Sequence, residues 1–209
     1  NMEPATDFAF STAFRTWIGG ANGSVNNIEN WSNKSLPGAG GNVGLNVFSP
    51  LASAPSIMSS TMWGNATITS AGPSVLGNFT ITGGLLGLTS PLDLGGYTAS
   101  LGMLSTLIET GSNLVSNGTL ATSVSLNTPS AVNVGGFGAS VTSAQNLGAT
   151  LVRRAHTAFT YGAATSIKRS YSFAPTTNTG LNASLVLKYD DSELNGNPEA
   201  NLKFFKSTD

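Results

Sequence analysis

Between Lys34 and Arg153 the chain carries two charged side chains, Asp93 and Glu109. Few folds tolerate so long a stretch with so little charge. Helices of a soluble protein wet their outer face with Glu, Lys and Arg, and here those residues are missing while β-branched residues and glycines recur every few positions. The apolar pattern is that of short strands instead. Ala66-Thr67-Ile68-Thr69, Asn78-Phe79-Thr80-Ile81-Thr82, Leu85-Leu86-Gly87-Leu88-Thr89, Tyr97-Thr98-Ala99-Ser100-Leu101 and Ser105-Thr106-Leu107-Ile108-Glu109 each mix apolar with small residues. Each is bounded by Gly, Asn, Ser or Pro, which turn the backbone for different reasons.

Strands of four or five residues at such close intervals suit an antiparallel sandwich or a parallel β-solenoid. The shortness of the strands, the small residues at the turns and the scarcity of charge favour the solenoid, because stacking coil on coil would set like charges above one another. A coil of about twenty residues fits the spacing. Ile68, Ile81, Leu88, Leu101, Leu107 and Leu120 are the expected inward-facing stack.

From Arg153 onward the composition changes: twelve charges fall in the remaining residues. Thr150–Thr157, Ser166–Ala174, Ala183–Tyr189 and Leu202–Lys206 read as four longer strands, one half of a β-sandwich that this chain leaves incomplete. The sequence therefore divides into an N-terminal cap with a first strand (1–45), a solenoid (46–140) and sandwich strands (141–209). The opening Asn1-Met2-Glu3-Pro4 is not an initiator start, and the expectation is a mature or excised segment.

Disorder is excluded for most of the length by a hydrophobic content of 40% and a net charge of −1. Gly, Ser, Thr and Asn together supply 96 of 209 residues, so hydroxyls and amides wet the surface. The near-zero net charge leaves no electrostatic footprint for nucleic acid. No apolar run is long enough for a bilayer-spanning helix, so no membrane insertion is expected. With no cysteine, thiol catalysis, cysteine-based zinc sites and disulfides are excluded together. The absence of thiols also suits an oxidising compartment.

Several segments resemble the very large secreted proteins of Bacteroidota. They are Arg154-Ala155-His156, Ile167-Lys168-Arg169, Phe173-Ala174-Pro175, Asn178 through Leu185, and Tyr189-Asp190-Asp191-Ser192-Glu193-Leu194-Asn195-Gly196. Trp17-Ile18-Gly19-Gly20, Glu29-Asn30-Trp31-Ser32 and Leu36 through Val43 look like the opening of the same proteins' β-helical region. That resemblance implies an adhesin-like protein at the cell surface of, or released by, a Gram-negative bacterium. It also implies export by the type IX secretion machinery. Neighbouring modules of the same polypeptide, a surface glycan or a solid substratum are the implied partners.

The candidate sites divide between chemistry and structure. The acidic loop with Asp190, Asp191 and Glu193 offers oxygen ligands of the kind calcium takes, but lacks EF-hand spacing; the simpler reading is an acidic turn capping backbone N–H groups and pairing with Arg154, Arg169 or Lys188. No other cofactor is expected. Asp190 and Glu193 sit too close in sequence to flank a sugar as a glycosidase pair. His156 is the one histidine, and no Gly-x-Ser-x-Gly elbow accompanies it; the expectation is a structural histidine that hydrogen-bonds on a strand face beside Arg154. Gly83-Gly84, Gly95-Gly96 and Gly135-Gly136 are turn glycines, since no Lys-Ser or Lys-Thr follows them.

Trp17 and Trp31 are expected to cap the solenoid, while Trp63 is the candidate for ligand contact by stacking on sugar. The Asn-x-Ser/Thr sequons are expected to carry no glycan in a bacterial protein. Arg154, Arg169, Asp191 and Glu193 are expected to form a structural charge network. The functional expectation is a non-catalytic extracellular structural and adhesive module. Two alternatives stay open: a polysaccharide-binding or polysaccharide-degrading solenoid, and a passive stalk.

Overall fold

In the computed structural model the described residues are 15–19, 25, 27–32, 34–38, 40–45, 56–57, 61–69, 73–112 and 114–206. Short apolar-in, polar-out strands cannot bury their inner face alone, and here they do so by stacking as coils. After β1 (Arg15–Thr16) come β2 (Val43–Leu45), β3 (Ser56–Ile57) and β4 (Thr61–Trp63). The next coil holds β5 (Ala66–Ile68), β6 (Ser74–Val75) and β7 (Phe79–Ile81); the next holds β8 (Leu85–Leu88), β9 (Leu92–Asp93) and β10 (Thr98–Leu101). The last holds β11 (Thr106–Glu109), β12 (Val115–Ser116) and the first half of β13 (Thr119–Asn127).

The strands pair in parallel from coil to coil. One wall runs β1-β2-β5-β8-β11 and a second runs β4-β7-β10-β13, with the β3/β6 and β9/β12 pairs completing the circuit. The protein is all-β, and its body is a parallel β-solenoid of about three turns. Val43 stands beside Ala66, Ala66 beside Leu86 and Leu86 beside Leu107, so the coil advances by 23, 20 and then 21 residues. The repeat is degenerate because turn length varies while the register of inward side chains does not.

That register builds ladders. Leu45, Ile68 and Leu88 form one; Trp63, Ile81 and Leu101 form another; Phe79, Ala99 and Leu120 a third. All nine are buried, and the six residues expected to stack inward are among the core. Each buried Leu or Ile contributes roughly 1.5–3 kcal/mol. At one corner a side-chain ladder accompanies the backbone: Asn65 donates from Nδ2 to Asn42 Oδ1 at 2.6 Å, and Asn65 Oδ1 accepts from Leu85 N–H at 2.5 Å. The neighbouring turn must be glycine there, since a Cβ on Gly84 would sit 2.0 Å from Asn65 Oδ1.

Trp17 and Trp31 are fully buried, form an antiparallel bridge and meet edge-to-face at 5.4 Å. The Trp31 indole N–H donates to Val25 O at 2.9 Å. They extend the buried core beside β1, at the edge of the first wall.

At the other end the topology changes. After β14 (Val132–Asn133), a 3-10 turn and β15 (Ala139–Thr142), the chain returns as β16 (Asn146–Ala155), antiparallel to β13 along its whole length. Beyond the β17 (Thr160–Tyr161) and β18 (Ala164–Thr165) hairpin, β19 (Ser170–Pro175) pairs with β16. β20 (Ser184–Leu187) pairs with β15, so β14, β15 and β20 make a second, three-stranded sheet. Apart from the β17–β18 hairpin, the C-terminal strands therefore make two sheets, one of which is the solenoid's own second wall continued. Antiparallel closure covers the open edge that the last parallel coil would expose. One strand expectation is corrected: Leu202–Lys206 is not a strand but follows a 3-10 turn, with Phe204 and Phe205 exposed and no strand among the described residues paired with it.

Candidate functional site

Two of the three ladders end in charge, while the third runs from Leu101 through Thr122 to buried Val152. In the ladder Leu45–Ile68–Leu88 the next inward position is Glu109, and in the ladder Phe79–Ala99–Leu120 it is Arg154. Period-two alternation turns both inward, and the stacking brings them together. The Arg154 guanidinium, 0% exposed, donates from Nη1 to Glu109 Oε2 at 2.9 Å and from Nη2 to Glu109 Oε1. Nη1 also donates to Phe137 O at 3.0 Å. The planar fork of arginine suits this two-point grip. Glu109 Oε1 in addition accepts from Val115 N–H at 2.9 Å.

The third donor of Arg154, Nε–H, points at His156 Nε2 at 3.1 Å. A guanidinium N–H can only donate, so Nε2 must be the acceptor and the imidazole proton resides on Nδ1. That nitrogen faces Glu193 Oε1 at 3.2 Å. Both ring nitrogens of His156 are thus taken, so the histidine expected to hydrogen-bond beside Arg154 does so, with Arg154 itself as one partner and Glu193 as the other. Burial, reinforced by the Arg154 and Arg169 charges and opposed by Glu193, lowers the imidazole below its ordinary range.

Glu193 arrives from a single 3-10 turn, Asp191–Glu193. Asp190 caps the turn by accepting from Ser192 N–H at 3.0 Å and Ser192 Oγ at 2.6 Å, and Glu193 reaches back to accept from Asp190 N–H at 2.9 Å. This reciprocal box directs the Glu193 carboxylate inward. There Arg169 Nε lies 2.9 and 2.7 Å from its two oxygens. Burial alone would raise the Glu193 carboxyl, but hydrogen bonds from His156 and Asp190 together with the Arg169 charge hold it below its usual value. Arg169 Nη1 donates to Lys188 O at 3.2 Å, and Tyr171 donates from its hydroxyl toward Phe137 O and Lys188 O at 2.9 and 2.8 Å. Arg169 Nη2 is buried without a partner.

Of the four residues expected to form a charge network, the structure brings Arg154, Arg169 and Glu193 together through His156. Asp191 lies outside, exposed at the first position of the turn. Sequence reasoning missed Glu109 as the partner of Arg154, and the missed signal is its parity with Leu107. The three carboxylates of the acidic loop do not converge: Asp190 caps, Asp191 is exposed and Glu193 turns inward. Among the described residues no three His, Asp or Glu side chains cluster as a metal-ion ligand set.

The Trp63 expectation is corrected. Its ring is 3% exposed and packs at 6.3 Å, tilted, on Phe79, so it offers no face to a ligand. Its position at the inward end of the Trp63–Ile81–Leu101 ladder is the reason. Exposed aromatics lie elsewhere: Tyr161, on the β17–β18 hairpin, and Phe205 stand with ring centroids 5.9 Å apart, both about four-fifths exposed.

A cleft of about 360 Å³ opens beside the charge cluster, lined by His156, Lys168, Ser192 and Glu193 with Ser116 and Asn117 from the last coil. A Glu–His pair at a cleft wall is the orienting half of a catalytic triad. Here the imidazole nitrogen that would serve a nucleophile is occupied by Arg154, so the pair holds a neutral ring in place rather than a base in readiness.

Comparison of the chain with protein-family models, with curated proteins and with solved structures finds no match.

Proposed function

We propose that this chain is a non-catalytic structural and adhesive module of a bacterial cell-surface or secreted protein. One observation carries the non-catalytic part. Residues 35–152 contain two acids, and each is committed to a structural bond. Asp93 accepts from Gly95 N–H at 2.7 Å and from Asn117 Nδ2 at 2.8 Å, and Glu109 is gripped by Arg154. A polysaccharide-degrading solenoid needs carboxylates free to meet a sugar. The resemblance to secreted Bacteroidota proteins supports the extracellular placement and export by the type IX machinery, and the low charge agrees with it.

The adhesive part rests on Tyr161 and Phe205, whose paired, exposed rings offer an aromatic surface to the C–H face of a pyranose. A glycan array probed with the protein and with Tyr161→Ala tests this. Binding that is lost on Tyr161→Ala supports adhesion. Binding to nothing sinks it and leaves the passive stalk. Release of reducing ends from a polysaccharide panel sinks the non-catalytic reading.

A further inference from the structure

The charge cluster joins parts of the chain that are far apart in sequence. Glu109 belongs to the last coil, Arg154 to the end of β16 with His156 just beyond it, Arg169 to the approach to β19, and Glu193 to the C-terminal turn. Glu193 is the point at which the turn is fastened, by its carboxylate to His156 and Arg169 and by its carbonyl to Lys168 N–H at 2.8 Å. We propose that His156 makes this an acid-released latch: protonation of the imidazole turns the Arg154–His156 hydrogen bond into an N–H to N–H repulsion, displaces the ring from the place it shares with Glu193 and frees the Asp191–Glu193 turn from the end of the solenoid.

The geometry supplies the reason. Protonation must place a hydrogen on Nε2, the atom that now accepts from Arg154 Nε–H. Two N–H groups would then face each other at 3.1 Å. Arg154 cannot swing aside, because Glu109 and Phe137 O hold its other two nitrogens. The groups that face or neighbour the ring are Arg154, Arg169, Lys168 and Glu193, with Glu109, Tyr171, Lys188, Asp190 and Asp191 in the next layer. Only Glu193 among the nearest would welcome a positive imidazole, and Arg169 already draws on its charge.

The sign follows from proton linkage. With the latch closed, the ring binds its proton less readily than a free imidazole, which titrates near 6.5. The opened form therefore holds more protons, and acid favours it. Below about pH 6.5 the open-to-closed ratio rises by up to about tenfold per pH unit, for as long as the closed ring stays neutral. The lowered carboxyl of Glu193 acts in the same direction, but its contribution is present above 4.5 and fades only as the pH falls further.

His156 is the one histidine of the chain, so its imidazole resonance in an NMR titration is unambiguous. The test follows that resonance and, on the same sample, amide exchange corrected for its intrinsic pH dependence. The amides of Asp190 and Lys168 report the latch. Those of Thr82 and Gly102, bonded between solenoid coils at 2.7 Å each, report the body. Protection at Asp190 and Lys168 is expected to fall by up to about 100-fold between pH 6.5 and 4.5, levelling off where the imidazole resonance itself titrates, while Thr82 and Gly102 keep theirs. In His156→Gln, whose amide can both accept from Arg154 and donate to Glu193, the loss should vanish. The latch is overturned by constant protection across the titration, by simultaneous loss at Thr82 and Gly102, or by the same acid loss in His156→Gln. Should that variant not fold, the unaltered protein's two sets of amides decide alone.

Discussion

The Arg154–Glu109 pair allows the end of the solenoid core to be dissected by a double-mutant cycle. Replacing Arg154 by Leu leaves the Glu109 carboxylate, 13% exposed, without its cation, and replacing Glu109 by Leu strands a guanidinium that is 1% exposed. Each single change removes one partner of a buried pair and should cost about 3–5 kcal/mol. The double change is different. Leu at 109 prolongs the Leu45–Ile68–Leu88 ladder by one coil, and Leu at 154 does the same beyond Leu120. Phe137 O stays satisfied, because the Tyr171 hydroxyl also donates to it. His156 Nε2 loses its donor and Val115 N–H its acceptor, at about 1–3 kcal/mol each, and each of these losses is already present in one of the single variants. Arg154→Leu/Glu109→Leu should therefore be more stable than either single variant, with a coupling of at least about 2 kcal/mol. Urea unfolding with a common m-value measures this. In a chain of this size each single change should lower Tm by roughly 6–20 °C, at about 2–4 °C per kcal/mol. Losses that simply add in the double variant would refute the reasoning, since they would mean that the two side chains stabilise the fold independently.

Two further outcomes test the packing. Gly136 has φ +72° and a Cβ there would lie 2.3 Å from Leu107 O, whereas Gly83 faces open space; Gly136→Ala should therefore cost at least about 1–3 kcal/mol and Gly83→Ala little, as thermal melts of the pair will read. Trp63→Ala should act as a core truncation, costing about 3–5 kcal/mol, and a glycan array at a temperature where the variant remains folded should show no selective loss of binding.

The solenoid was legible because its signal is local and repeated. Each strand needs only its own alternation to declare an inner face, and the five strands read from Ala66 to Glu109 lie within a residue or so of β5, β7, β8, β10 and β11. The two-residue strands β6, β9 and β12 were not legible. Ser74–Val75, Leu92–Asp93 and Val115–Ser116 are too short to show a period, and only stacking on a neighbouring coil makes them strands. The route of β16 was hidden for another reason. Its alternation reads plainly in Leu151 through His156, but whether such a strand joins a new sheet or an old one depends on partners far along the chain. The reversal that returns it beside β13 passes through Thr128 and Ala131, both with positive φ, and neither is a residue that announces a turn.

The charge cluster shows where residue type misleads and position informs. Read by type, Glu109, Arg154 and His156 belong on a surface. Read by parity, Leu107 and Glu109 share a face, and so do Val152, Arg154 and His156, which are 0%, 0% and 5% exposed. Arg153, of opposite parity, is exposed although its chemistry is that of Arg154. A buried ion pair is weak support for stability in itself, because desolvation offsets the Coulombic gain. Its value here is directional. An apolar ladder accepts another apolar coil at any register, so a solenoid that ended in leucine would invite stacking by whatever strand came next. Ending the last coil in Glu109 admits only a layer that brings a matching cation, and Arg154 of β16 supplies it, held in turn by Phe137 O and by the chain of His156, Glu193 and Arg169 from the segments around the C-terminal strands.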